Sequence, residues 1–406
     1  MAVQEPTGNA SRRALVPLFA AYSVFGVYWG VWVVVFADFL RANQLSEGTA
    51  GFQLGLLAVV SILTMTLVSP RLQRYPLSVT VPIGLLAMGF GAMIVGHASG
   101  GWLALGFAVL GIGNGLLDVF VNVGGQMIEA SSRRPVLQFL HASYNVGGIV
   151  GGLGAGLATL GGVDFRSRLS VTAAVLAVIA IWTAVSPPLR AQPGPSATET
   201  RISLSIFLRS RALIVPAVVV LSAFFVEGSM DIWSVIYLRR TLEASALAGG
   251  IAFAIFSLAM AFGRITAGRL LFGLGYRTTL RISGVGSLVA GLTAAITQST
   301  VIAGVAFLFL GFFIASAAPA AFGMIAETDE DPALAVAAMT TVGYSGFVVG
   351  PPLMGVLAET AGLRATMVVL VAMSLGVVAG GVFGHTEPPV ELELPGTGET
   401  RPTETG

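Results

Sequence analysis

The chain has no cysteine and no lysine, and only three histidines among 406 residues. Without cysteine there can be no disulfide and no thiolate metal site, and the redox state of the compartment leaves no mark. His97, His141 and His385 lie far apart in sequence and fit no metal-ligand spacing, so no metal is expected. Charge is scarce too: Asp, Glu and Arg make up 10% of the residues, with a net charge of +1. No basic cluster interleaved with aromatics marks a nucleic-acid partner. The glycine-rich runs GIGNG and GGIVGGLGAG follow no strand and precede no Gly-Lys-Ser/Thr, so they are not nucleotide loops. No cofactor is expected, nor ATP-driven transport by this chain alone.

What is abundant is apolar surface. Hydrophobic residues make up 55% of the chain, and the mean hydropathy is +0.87. That is more than a soluble core can hide, so the chain reads as an integral membrane protein. Long apolar runs broken by short polar or Gly/Pro-rich joints predict about twelve spans. They lie near 14–40, 48–69, 77–97, 102–128, 136–160, 169–187, 212–238, 246–271, 278–298, 300–326, 333–358 and 363–384. Lipid offers backbone groups no water, and the runs are continuous rather than alternating, so helices are expected. The fold class is therefore all-α membrane protein. A cleaved signal peptide is not expected, because the first apolar run continues to about Leu40.

Every one of the 21 basic residues is arginine. With the N-terminus inside, 15 of them, Arg264 included, fall on or near the cytoplasmic side, which predicts cytoplasmic termini for a multi-pass protein. The longest polar interruption contains AQPGPSATETR and reads as a flexible cytoplasmic linker. The expected organisation is an N-terminal bundle over 1–190, a linker over 191–211, a C-terminal bundle over 212–385 and a cytoplasmic tail over 386–406. An offset near 200 residues pairs Trp32 with Trp233, Gly111 with Gly311, and Gly147 to Gly151 with Gly346 to Gly350. Three matches at nearly one offset predict a duplicated six-helix unit.

Carboxylates inside such spans are costly and usually face a polar interior. Glu227 and Asp231 lie one turn apart on one face of the seventh span. Helix rise puts Glu227 near the midplane, Asp231 closer to the outside, and Asp118 of the fourth span level with Asn145 of the fifth. One turn nearer the cytoplasm, Asn122 is level with His141. Desolvation disfavours a charged carboxylate, so an acid in a poorly hydrated cavity can take up a proton on one side and release it on the other. Glu227 and then Asp118 are the candidates for proton coupling; the alternatives are a permanent hydrogen bond between helices, or direct binding of sodium or a cationic substrate. His141 is either a relay or a neutral histidine bonded to the fourth span. Asn122 and Asn145 are candidate substrate contacts, with interhelical bonding the alternative. Asp231 reads as a partner of Arg239 or Arg240 in an outer gate, with a solvated helix end the alternative, and Asp38 as an interface residue rather than a site. Tyr22, Trp29 and Trp32, with Phe224 and Trp233, are candidates to stack on a sugar or planar metabolite, although Trp233 reads better as an interfacial aromatic. Tyr344 is a further substrate-binding candidate.

The segments GNGLLDVFVNVGGQMIEASSRRPVLQFLHASYNVGG, FFVEGSMDIWSVIYLRR, IFSLAMAFGRITAGRLL and GYSGFVVGPPLMGVLA resemble the major facilitator superfamily, in a bacterial branch near the fucose-permease-like members. The resemblance covers essentially the whole hydrophobic chain. It implies twelve transmembrane helices in two six-helix repeats, with a substrate site near the midplane between them. It also implies a secondary active transporter of the bacterial plasma membrane and not an enzyme, moving a small sugar-like or other metabolite by alternating access as a monomer, for which the intramembrane acids suggest protons as coupling ion. The loop after the second span departs from the family pattern: Ser69, Gln73, Arg74, Pro76 and Leu77 keep only the arginine, and the second-half counterpart has Phe272 where an acid would sit. These loops offer little support for an Asp-to-helix lock. Gly-Pro-Pro occurs at Gly350 to Pro352 in the eleventh span rather than a Gly-Pro in the fifth, which weighs modestly against a multidrug antiporter. A proton-antiporting exporter and a non-transporting receptor or assembly factor on the same scaffold are the alternatives.

Overall fold

The computed structural model describes residues 8–132, 136–186, 206–328 and 330–384. Most of the expected linker and all of the expected C-terminal tail lie outside them. Among the described residues the regular structure is helical throughout. The principal helices are α1 (Gly8–Ala42), α2 (Glu47–Leu63), α3 (Leu77–His97), α4 (Trp102–Ser132), α5 (Leu137–Leu160) and α6 (Phe165–Ala184). They are followed by α7 (Ile214–Thr241), α8 (Ala246–Ile296), α9 (Thr300–Ile314), α10 (Ala317–Gly323), α11 (Pro332–Ala361) and α12 (Leu363–Phe383).

Short polar side chains start these helices. Ser46, Asp164, Ser245 and Ser299 each accept a hydrogen bond from the backbone N–H three residues on, at the entries to α2, α6, α8 and α9. At Gly275 the backbone leaves helical geometry (φ 72°, ψ 171°), a left-handed conformation suited to glycine, so α8 is two arms meeting at a bend. A single π-helical stretch, Thr64–Val68, follows α2.

Ten helical stretches among the described residues are long and apolar enough to cross a membrane; α8 counts as one of them and α5 is not among them. The exterior agrees: Phe90, Trp102 and Ile265 are each more than 60% exposed, a degree of apolar display that water does not tolerate but lipid does. The chain is a multi-pass helical membrane protein.

Helices α1 to α6 pack largely among themselves, α1 against α5, α6 and α4, and α3 between α4 and α6. Helices α7 to α12 do the same, with α7 against α11 and α12, and α8 against α9 and α12. The groups meet where α2 packs on α11, α5 on α8, and α1 on α7 and α8. Small residues make the α1/α5 crossing close. A Cβ on Gly30 would collide with the Gly148 carbonyl oxygen, and one on Gly151 with that of Val27. Backbone cannot yield as a side-chain tip can. Gly30→Val is therefore expected to destabilise the protein by about 3 kcal/mol or more, read as a lowered Tm or loss of monodisperse protein in detergent. An unchanged Tm would contradict this packing.

Candidate functional site

Between the two groups lies a cavity of about 570 Å³, bounded by α1, α2, α4, α5, α7, α8 and α11. Its size suits a small ligand. Of the residues expected at a site, Tyr22, Trp29, Asp118, His141, Asn145, Glu227, Asp231 and Tyr344 line it. Asn122 and Arg239 do not.

Asn122 is nonetheless connected to it. The Tyr22 hydroxyl lies 3.2 Å from His141 Nδ1, His141 Nε2 lies 3.0 Å from Asn122 Oδ1, and Asn122 Nδ2 donates to the Asp118 carbonyl oxygen at 2.6 Å. This chain is satisfied if the Tyr22 hydroxyl donates to Nδ1 and Nε2–H donates to Asn122, which describes a neutral imidazole. Helices α1, α4 and α5 are thereby joined at one level.

A second network was not anticipated. Trp29 Nε1 donates to Asn114 Oδ1 at 3.2 Å, Asn114 Nδ2 donates to Ser61 Oγ at 3.1 Å, and Ser61 Oγ donates to the Gly111 carbonyl at 3.0 Å. Asn114 sits one turn before Asp118 on the same face of α4, a spacing that would have flagged it in the sequence.

The largest departure concerns charge. Arg264 of α8, counted from sequence as a cytoplasmic-side arginine, lines the cavity and donates from Nη2 to Glu227 Oε1 at 2.6 Å. Their side chains are 46% and 25% exposed, so the pair faces the open part of the cavity. Asp118 and Asp231 take part in no ion pair among the described residues.

The expected pairing of Asp231 with Arg239 or Arg240 is not formed. Arg239 lies eight residues further along α7, about 12 Å by helix rise. It reaches α1 instead, bonding Asp38 Oδ1 at 2.7 Å and the Val34 carbonyl at 2.7 Å. Asp38 also takes Arg168 of α6 at 3.0 Å, Arg240 pairs with Glu47 of α2 at 2.6 Å, and Glu359 of α11 accepts the Gly48 N–H at 3.0 Å. All these contacts lie at the end of the bundle where α1 ends and α2 begins. Asp231 faces the cavity, away from that end.

Trp32 and Trp233 are both fully buried and neither lines the cavity, so the interfacial reading of Trp233 fails. Trp32 packs among Tyr28, Phe36, Phe39 and Phe107, so its ring serves the core of the first helix group. Phe224 also lies outside the lining and meets the Tyr344 ring at 6.0 Å. Tyr144, Phe253 and Phe347, not anticipated, supply aromatic wall.

Known proteins resemble this architecture and this sequence. The family model described as Major Facilitator Superfamily matches residues 18–345 and 240–405. An uncharacterized MFS-type transporter of Yersinia pestis is 25% identical over 363 residues, covering 88% of this chain and 92% of that protein. Membrane protein MosC of Rhizobium meliloti is 28% identical over 278 residues, covering 68% and 66%. Among solved structures, the nucleoside transporter NupG superposes with a TM-score of 0.73 at 12% identity, covering 92% of this chain and 98% of that one. A bacterial homolog of the human lysosomal transporter Spinster, in an inward-facing and unoccupied conformation, gives 0.69 at 16% identity, covering 92% and 96%. At such identities the structures speak for the fold alone, but the family match spans most of the chain: this protein belongs to the Major Facilitator Superfamily, as a membrane transporter and not an enzyme.

Proposed function

We propose that the chain is a proton-coupled secondary transporter that carries a small solute through the cavity by alternating access. The observation that carries this reading is the Glu227–Arg264 pair beside two acids, Asp118 and Asp231, in a cavity that both helix groups line. A carboxylate that exchanges a guanidinium partner for a proton gives the two groups a reason to move relative to each other.

The architecture we read is twelve spans in two six-helix repeats, over 1–190 and 212–385, joined by a linker. Counting α5, and counting the arms of α8 on each side of Gly275 separately, raises the ten candidate spans to twelve. The paired glycines support duplication. Gly111 of α4 abuts Leu57 of α2, and Gly311 of α9 abuts Phe256 of α8; Gly147 and Gly151 of α5 meet α1, and Gly346 and Gly350 of α11 meet α7. Each pair meets the equivalent partner in the two units.

With both termini cytoplasmic, the end held by Asp38, Arg239, Glu47 and Glu359 is the outer end, and the described state is closed outside. Sugars, other neutral metabolites and amines are the solute classes to compare. The Glu227–Arg264 pair also suits export by proton antiport, and flux direction under an imposed gradient separates that from uptake.

The test is solute-evoked proton flux and counterflow in liposomes carrying the purified chain. At least one solute class is expected to exchange and to move protons with it. A ligand that stabilises the folded protein yet never crosses would replace the transporter reading with that of a receptor.

A further inference from the structure

The polar lining of the cavity is unequally used. Asn114, Ser61 and Trp29 spend their hydrogen bonds on one another, and Tyr22, His141 and Asn122 on a second chain. The cavity's arginine, Arg264, is engaged by Glu227 at 2.6 Å. Asn145, Ser257, Tyr144 and Tyr344 line the cavity without a side-chain hydrogen bond among the described residues, and two carboxylates remain. Asp118 has a single side-chain neighbour at the limit of bonding, Asn122 Nδ2 at 3.5 Å, and Asp231 forms no hydrogen bond or ion pair among the described residues.

The free hydroxyls and the Asn145 amide both donate and accept, so what distinguishes the free lining is its charge: two carboxylates and, among the described residues, no unpaired cation. An anionic solute would meet two uncompensated carboxylates and, among the described residues, no free cation in the lining, an arrangement that repels it. A polyol would leave the carboxylates only partly served. An ammonium carries three donors and no acceptor, and it neutralises the charge it meets. The walls suit the same chemistry. Tyr144, Phe253 and Phe347 present aromatic surface to the same cavity that Asp118 and Asp231 line. Aromatic faces attract cations and cover an apolar body.

We propose that the cavity selects a small organic amine, with its ammonium held by Asp231, Asp118 as second acceptor, and its body against Tyr144, Phe253 and Phe347. This rests on the transporter reading above and names the class of solute. The carboxylates that hold the cation are also able to hold protons, so cation and proton would compete for them.

The test compares solutes that share a skeleton and differ in charge: tyramine, tyrosol and 4-hydroxyphenylacetate; putrescine, 1,4-butanediol and succinate; glucosamine, glucose and glucuronate. Binding to the full chain in detergent is read by thermal unfolding. In at least one set the amine is expected to bind about tenfold or more tightly than its neutral and acidic counterparts, the effect of one charge-assisted hydrogen bond. Asp231→Asn is expected to lose that advantage. The inference is overturned if no amine binds, if an alcohol or acid equals the amine in every set, or if Asp231→Asn binds the amine unchanged. Should Asp231→Asn not fold, Asp118→Asn and the charge series on the unaltered chain decide. Flux in liposomes separates the two claims: a neutral solute that exchanges keeps the transporter and removes the amine, whereas an amine that binds without crossing removes the transporter alone.

Discussion

Glu227→Gln is expected to reduce proton-driven accumulation by about tenfold or more while leaving the protein folded. The substitution keeps the side chain's shape and removes both its charge and its titration. Arg264 then loses the carboxylate it now meets at 2.6 Å. A hydrogen bond to a charged group is worth about 1.5–3 kcal/mol, and each 1.4 kcal/mol is a factor of ten in an equilibrium. Because Arg264 is 46% exposed, water takes up part of that loss, which places the expected effect toward the lower end. Arg264→Gln alone strands the acid instead. The double variant Glu227→Gln/Arg264→Gln removes both charges and should recover part of the thermal stability without recovering coupling. Uptake against a gradient and counterflow without one are the two measurements. Accumulation by Glu227→Gln equal to that of the unaltered protein would remove Glu227 from the coupling mechanism.

Asp38→Asn is expected to loosen the closed end of the bundle. One carboxylate there serves two guanidiniums, Arg168 and Arg239, whose side chains are only 6% and 10% exposed. Removing its charge leaves both short of a partner in a place water barely reaches, at a cost of about 2–4 kcal/mol to the state in which the end is closed. If closed and open forms are otherwise balanced within a few kcal/mol, that is enough to invert their populations. The absence of cysteine makes the measurement clean, since Leu54→Cys adds the only thiol of the chain, at a buried position beside the α2/α11 seam. A membrane-impermeant maleimide applied from outside should label Leu54→Cys at least about tenfold faster when Asp38→Asn is also present. If Asp38→Asn lowers Tm but leaves labelling unchanged, the ion pairs stabilise the fold and do not latch it.

The membrane class was legible from composition, and most helix positions from the apolar runs, because lipid requires every spanning segment to satisfy its own backbone. Level-matching by helix rise put Asn122 beside His141, and the structure brings them to 3.0 Å. The same arithmetic could not supply the partner of Asp231, since distance along a helix says nothing about which neighbour an acid meets. Arg264 was missed for a related reason. Counting arginines toward one side of the membrane treats them as topological labels and gives no hint that one has turned inward. Trp233 was misread because a tryptophan near a boundary is ambiguous until the packing around it is known.

The sequence by itself determined that the chain is helical, lies in a membrane and carries a few expensive carboxylates in its spans. Those properties follow from local composition and spacing, which act within one segment at a time. Tertiary structure alone decided which acids are paired. Arg264 meets Glu227 from α8, Arg168 and Arg239 converge on Asp38 from α6 and α7, and Asp118 and Asp231 are left facing the cavity without an ion-pair partner among the described residues. Pairing depends on side chains that come within about 4 Å from helices far apart in sequence, and close packing of separate helices fixes that distance.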